Sequence, residues 1–161
     1  MINQGRLKEV LEYNPASGVF TWNVYMGSRA VAGSHAGSVD SLGYVTIRID
    51  KKLYHAHRLA WLFVHGHFPV NTVDHINRDK SDNRMSNLRP ATRSENNRNV
   101  GISKNNTTGF KGVTKVRDRY KAQITHHSTC VNIGLYDTPE IAHAAYCKKA
   151  TELHGEFANY G

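Results

Sequence analysis

The sequence predicts an α+β fold in two parts: a strand–loop–strand–helix unit, then a three-stranded antiparallel sheet packed on one helix. Three observations predict it. Two short apolar-polar runs, 72–76 and 88–92, bracket a loop crowded with Asn, Asp and Arg and precede a helix start. Three later segments, 110–116, 119–126 and 130–136, alternate in strand fashion, and a capped amphipathic stretch follows them. The 161 residues leave room for one ordinary domain or two small ones.

Taken in order, Ile2, Leu7, Val10 and Leu11 are spaced as the apolar stripe of a helix over 3–13. Asn14-Pro15-Ala16-Ser17-Gly18 is a turn signal, and Val19-Phe20-Thr21-Trp22 reads as a strand. Residues 27–43, rich in Gly, Ser and Ala, read as a loop. Strands over 44–49 and 53–57 form a hairpin turning at 50–52, and a helix over 58–64 stops before Gly66 and Pro69. Pro90 suits an edge strand, and Thr92 or Ser94 caps the helix that carries Glu95 and Asn96. A polar linker over 101–108 then separates residues 1–100 from residues 109–161. In the last helix, Thr138 is the N-cap, Pro139 the first helical residue and Gly155 the stop. Ile141, Ala144, Ala145, Lys148 and 150–153 are its expected inward stripe, with the alanines letting helix and sheet approach closely.

The net charge of +8 points to a polyanionic partner, nucleic acid before membrane. Lys and Arg stand against Asp and Glu four to four in 1–50, ten to four in 51–104 and seven to five in 105–161. The excess therefore sits on the central segment. Two cysteines, Cys130 and Cys147, form no CxxC pair, which excludes a four-cysteine zinc and reads as reduced packing residues in a cytoplasmic protein. No apolar run is long enough to span a bilayer. His55, His57, His65 and His67 lie on different elements with no carboxylate or thiolate at ligand spacing. They read as packing or phosphate-facing residues, with His57 the best placed of the four to stand near an active site.

The central stretch holds the parts for phosphodiester hydrolysis. That reaction needs an activated water, neutralised phosphoryl oxygens and a stabilised leaving oxygen, and a single divalent ion serves the last two needs. A magnesium-type ion takes oxygen ligands and keeps several waters, so Asp74 and Asn96 suffice from the protein. Strand, loop, strand and helix would bring those two together. His75, with an ordinary pKa of about 6.5, would be mostly neutral at physiological pH, as a general base must be. Asn87 is placed to fix its orientation. Arg78, Arg84, Arg89, Arg93 and Arg98 are placed to hold neighbouring phosphates.

His57-Arg58-Leu59, Asp74-His75-Ile76, Asn83-Arg84, Asn87-Leu88-Arg89 and Thr92-Arg93-Ser94-Glu95-Asn96 resemble an HNH endonuclease of the ββα-metal (His-Me finger) superfamily, over about 53–99. The resemblance implies His75 as general base, Asp74 and Asn96 as ligands of one Mg or Mn ion, and Asn87 as support for the base. It also implies in-line attack by water, leaving a 5′-phosphate and a 3′-hydroxyl. Asn96 stands where the family name has histidine, the HNN pattern, which disfavours softer ions such as zinc.

Gly109-Phe110-Lys111-Gly112-Val113, Ile133-Gly134-Leu135-Tyr136-Asp137-Thr138 and Asn159-Tyr160 resemble the Apetala-two/ethylene-response-factor DNA-binding domain, over about 107–161. That family lays its sheet in the major groove. By position the contacts would be Lys111, Thr114, Lys115, Arg117, Lys121, Gln123, Thr125 and Asn132. Plant members carry arginines and tryptophans at several of these places, so their recognition sequence does not transfer.

The two resemblances together read as a homing-type or phage endonuclease acting on double-stranded DNA, with no small-molecule cofactor. It would nick as a monomer and cut both strands only on dimerising or rebinding. A non-cleaving DNA-binding regulator is the alternative, disfavoured because Asp74, His75, Asn87 and Asn96 are all present. An RNA nuclease is disfavoured because a groove-reading sheet is of little use on A-form RNA.

Overall fold

Asn3 opens the first helix, α1 (Gln4–Val10), by accepting the Arg6 N–H on its side chain at 2.8 Å. The helix stops earlier than its apolar spacing suggested. Leu11 has φ −135°, and Leu11–Asn14 forms strand β1, with Leu11 and Tyr13 inward and Glu12 and Asn14 outward. Helical and strand periods share Val10 and Leu11, and pairing with β2 (Val19–Trp22) decides between them. The computed structural model describes residues 1–28 and 30–161. They divide into two compact units, Met1–Ala91 and Thr92–Gly161. The boundary expected from sequence lay later, at 101–108.

In the first unit, residues expected as loop contribute a short strand, β3 (Ser38–Val39), which pairs with β4 (Val45–Ile49). β4 pairs in turn with β5 (Lys52–His55). The β4–β5 turn holds Asp50 and Lys51 at φ 47° and 65°, the handedness that matches the twist of a two-residue hairpin. Helix α2 (Ala56–His65) begins two residues before its expected start, so His57 is helical. It ends at Gly66 in the left-handed conformation. Strands β6 (Thr72–His75) and β7 (Leu88–Ala91) form an antiparallel hairpin of their own, with a 3₁₀ turn, Met85–Asn87, leading into β7. One apolar core joins all of this. It includes Leu7, Leu11 and Phe20 from the N-terminal part, Ile47 and Ile49 from β4, Leu59 and Leu62 from α2, and Val73 and Leu88 from the last hairpin.

The second unit starts with helix α3 (Arg93–Arg98), closed by a reciprocal capping box between Thr92 and Glu95. The antiparallel sheet β8 (Val113–Val116), β9 (Arg119–His126) and β10 (Thr129–Tyr136) follows, with a bulge between Asn132 and Gly134. Helix α4 (Pro139–His154) packs on it, N-capped by the Thr138 hydroxyl, which accepts the Ile141 N–H at 3.3 Å. The buried stripe of α4 is Ala142, Tyr146, Ala150 and His154 rather than the expected one. Ile141 is 53% exposed. Tyr146 and His154 are amphipathic, so their inward placement left little apolar period to read. Ala142 and Ala150 do allow close approach. At Gly112 a Cβ would lie 2.1 Å from the Tyr146 ring. Cys147 is half-buried, but Cys130 is exposed, not a packing residue. No helix among the described residues is long and apolar enough to cross a membrane.

Candidate active site

The β6–β7 hairpin sets Asp74 opposite Arg89 and His75 opposite Leu88. Both acid and imidazole are buried, at 4% and 5% exposure. A buried carboxylate needs a partner, and Arg89 supplies it. Its Nε and Nη2 donate to Asp74 Oδ2 at 2.9 and 2.8 Å. Arg89 was expected to hold a phosphate; the structure ties it to Asp74 instead.

The loop between the strands is fixed by its own polar side chains. Asn87 Oδ1 accepts the Asn77 N–H at 2.9 Å, and its Nδ2 donates to Asp82 O at 2.8 Å. Its carbonyl accepts the Ile76 N–H. Asn87 therefore clamps the loop that surrounds His75 rather than bonding the ring. Asp79 accepts from the Ser81 hydroxyl and N–H, and Arg84 forms a two-pronged pair with Asp82. The Arg84 guanidinium holds Asp82 down at about 2. Arg78 is exposed, with φ 67°. A contact on the ring itself comes from Asn83, whose Oδ1 lies 3.5 Å from His75 Nε2.

The histidines of β5 and α2 stand beside the His75 ring. The His57 ring meets His75 edge-on at 5.0 Å and stacks on His55 at 5.3 Å, while Tyr44 stands 6.1 Å from His75. Burial pushes His57 down to about 3, with His75 and His55 adding to the shift. Burial also lowers His75, partly opposed by its bond to Asn83 and by Asp74, Asp79 and Asp82. Both rings are therefore neutral near pH 7. His65 lies apart, against Trp61 at 4.1 Å.

Residues 1–50, to which the sequence assigned no role, brace this loop. Tyr13 Oη donates to Asn83 O at 2.7 Å, and Met85 N donates to Pro15 O at 3.0 Å. Gly18, at φ 75°, lies so close that a Cβ there would sit 2.4 Å from Arg84 N. Only glycine allows that approach and that dihedral together. Asn83, Tyr13 and Tyr44 were not assigned from sequence. Asn83 was quoted within the Asn83-Arg84 piece of the family resemblance, but no role was given to it.

In the second unit Asn96 is half-buried on α3, and Arg93 is exposed. Lys111 Nζ donates to the carbonyls of Arg98 and Val100 and to Asn159 Oδ1, so its ammonium neutralises the C-terminal end of α3. Cross-strand pairing puts Thr114 beside Lys121, Gln123 beside Asn132 and Thr125 beside Cys130, all on one face of the sheet. The opposite face carries Val113, Ala122 and Ile124 into the core. A cleft of about 490 Å³ brings Arg98, Lys111, Thr114, Gln123 and Thr125 together. Lys115 and Arg117 are exposed at the β8 end.

Among the described residues no cluster of three or more His, Cys, Asp or Glu could hold a metal ion. Asp74 and Asn96, a carboxylate and an amide, are oxygen donors of the type a hard ion takes, and they belong to separate compact units.

Comparison with known proteins points to one family. A family model described as HNH endonuclease matches residues 54–98. An HNH endonuclease of Acanthamoeba polyphaga mimivirus, described as uncharacterised, is 38% identical over 63% of this chain and 54% of its own length. The chain thus spans about half of that relative. Protein 3.8 of Escherichia phage T7 is 31% identical over 68% of this chain and 95% of its own length. A structure of the HNH homing endonuclease I-HmuI, titled for DNA binding and cleavage, overlaps 90% of this chain and 85% of its own at 17% identity. Its TM-score is 0.44, too loose an overlap to carry a conclusion.

Proposed function

Because this chain belongs to the HNH endonuclease family, we propose that it is a metal-dependent endonuclease that hydrolyses phosphodiester bonds in duplex DNA. The observation that carries the reading is His75, a buried neutral imidazole beside a buried carboxylate on one rigid hairpin. A neutral imidazole accepts a proton; a solvated surface histidine would be charged more of the time and oriented less.

His75 takes the proton of the attacking water as the water oxygen bonds to phosphorus. The bond from phosphorus to the 3′ oxygen breaks in line, and that oxygen takes a proton from solvent water, leaving a 5′-phosphate and a 3′-hydroxyl. One divalent ion, Mg or Mn, held by Asp74 and Asn96, would neutralise charge on the phosphoryl and leaving oxygens. Arg89 orients the Asp74 carboxylate, and Asn87 fixes the loop around the base. Arg78, Arg84, Arg93 and Arg98 are the candidate phosphate contacts. The family implies that α3 works with the β6–β7 hairpin, although by compactness it is grouped with the second unit.

The second unit is read as an Apetala-two-like DNA-binding face. Thr114, Lys121, Gln123, Thr125 and Asn132 share the side of the sheet away from α4, a surface of a size the major groove admits. One chain carries one site, so it should nick as a monomer. A homing-type or phage-encoded enzyme of the bacterial cytoplasm fits these features. Incubation with duplex DNA and Mg or Mn, followed by mapping of new ends, tests the reading. Metal-dependent nicks with 5′-phosphates are expected, and their absence with intact duplex binding would leave the non-cleaving regulator.

A further inference from the structure

We infer that Asn83 sets which nitrogen of His75 carries the proton, holding it on Nε2 and leaving Nδ1 as the basic atom. The inference deepens the proposed function and, for its catalytic consequence, rests on it. A neutral imidazole has one donor and one acceptor nitrogen, and the bond made by one decides the state of the other. Asn83 Oδ1 lies 3.5 Å from His75 Nε2. The amide cannot turn its nitrogen there without losing a bond, because Nδ2 donates to Ser81 O at 2.9 Å. An amide oxygen only accepts, so a hydrogen bond at this contact requires Nε2 to donate.

Asn83 is built in more firmly than a loop residue need be. It is 2% exposed, its carbonyl accepts from Tyr13 Oη, and its backbone is packed against Gly18. The neighbouring Met85 N–H is held by Pro15 O. Asn87 is no substitute, since its amide faces Asn77 and Asp82. Other groups facing the ring include His57 from α2, Tyr44 before β4, and the Asp74, Asp79 and Asp82 carboxylates. Of these contacts, the one at Nε2 comes from Asn83. Asn83 is thus a positioning residue that acts through His75.

The ¹⁵N NMR shifts of the His75 ring in the metal-free full chain, identified by their loss in His75→Gln, report the tautomer without any catalysis. The wild type should show the Nε2–H form. Asn83→Leu, which keeps volume and removes the acceptor, should move the signals toward Nδ1–H. Asn83→Asp, which keeps an acceptor, should hold them and restore cleavage. In Asn83→Leu, kcat should fall about 100-fold with KM for duplex DNA unchanged. Nδ1–H in the wild type, or an unchanged tautomer in Asn83→Leu, overturns the inference. If Asn83→Leu does not fold, the wild-type and Asn83→Asp spectra still decide it. A shifted tautomer with undiminished cleavage supports Asn83 as tautomer-setter and overturns His75 as the base.

Discussion

The loop around His75 and the outer face of the β8–β10 sheet are both polar, yet they are held in opposite ways. In the loop, nearly every side chain is bonded to another part of the protein: Asn77, Asp79, Asp82, Asn83 and Asn87 all take local partners. On the sheet, Thr114, Thr125 and Asn132 are exposed, and their backbones are fixed by strand pairing. The difference follows from the work proposed for each. Proton transfer needs reacting atoms held to within tenths of an ångström. Reading a groove needs side chains whose donors and acceptors are still available to bases and phosphates.

That contrast can be broken by mutation. The largest effect belongs to His75→Ala, which should lower kcat by about 10²–10⁴-fold while leaving duplex affinity nearly intact. Lost binding with retained cleavage would reverse the assignment of the two regions. Arg89→Ala leaves the Asp74 carboxylate buried without its guanidinium, and should destabilise the first unit by about 3–5 kcal/mol in chemical denaturation. A change within error would mean that Asp74 is solvated. Gln123→Ala and Asn132→Ala should each weaken duplex binding by about 1 kcal/mol, altering site preference without changing kcat. Cleavage rates that drop at saturating DNA would show that the sheet does more than place the enzyme.

A further effect is one of pH. The folded His57 sits near 3 against an ordinary value of 6.5, so the unfolded chain takes up the proton first. Its contribution to stability is complete above about pH 6.5 and is lost as the pH falls toward 3. His57→Phe should therefore narrow the gap in melting temperature between pH 7 and pH 4. An equal gap in both proteins would place His57 in solvent.

The parts of the site that were legible are those whose partners lie close in sequence. Asp74, His75 and Asn87 sit on one strand–loop–strand unit, and their residue types name their chemistry directly. Tyr13 bonds Asn83 across 70 positions, and no local period or turn rule links such residues. Gly18 read as a turn residue, which it is, but its closeness to Arg84 depends on how the hairpin packs. The strand β1 was hidden for another reason. Leu7, Val10 and Leu11 satisfy a helical stripe, and only pairing with β2 turns Leu11 onto a sheet. His57 was singled out near the site, but the sequence placed it on a strand, whereas its edge-on meeting with His75 comes from the first turn of α2.

The brace formed by Tyr13, Pro15 and Gly18 has a consequence for transplanting this chemistry. The stretch that bears the recognisable motif is shorter than the stretch that can hold itself in shape. A segment cut at residue 53 and grafted onto another scaffold would keep Asp74, His75 and Asn87, but lose the hydroxyl and the backbone against which residues 83–85 rest. It would also lose Leu7, Leu11, Phe20 and Ile47 from the core beneath. A graft that begins ahead of α1 carries its own support.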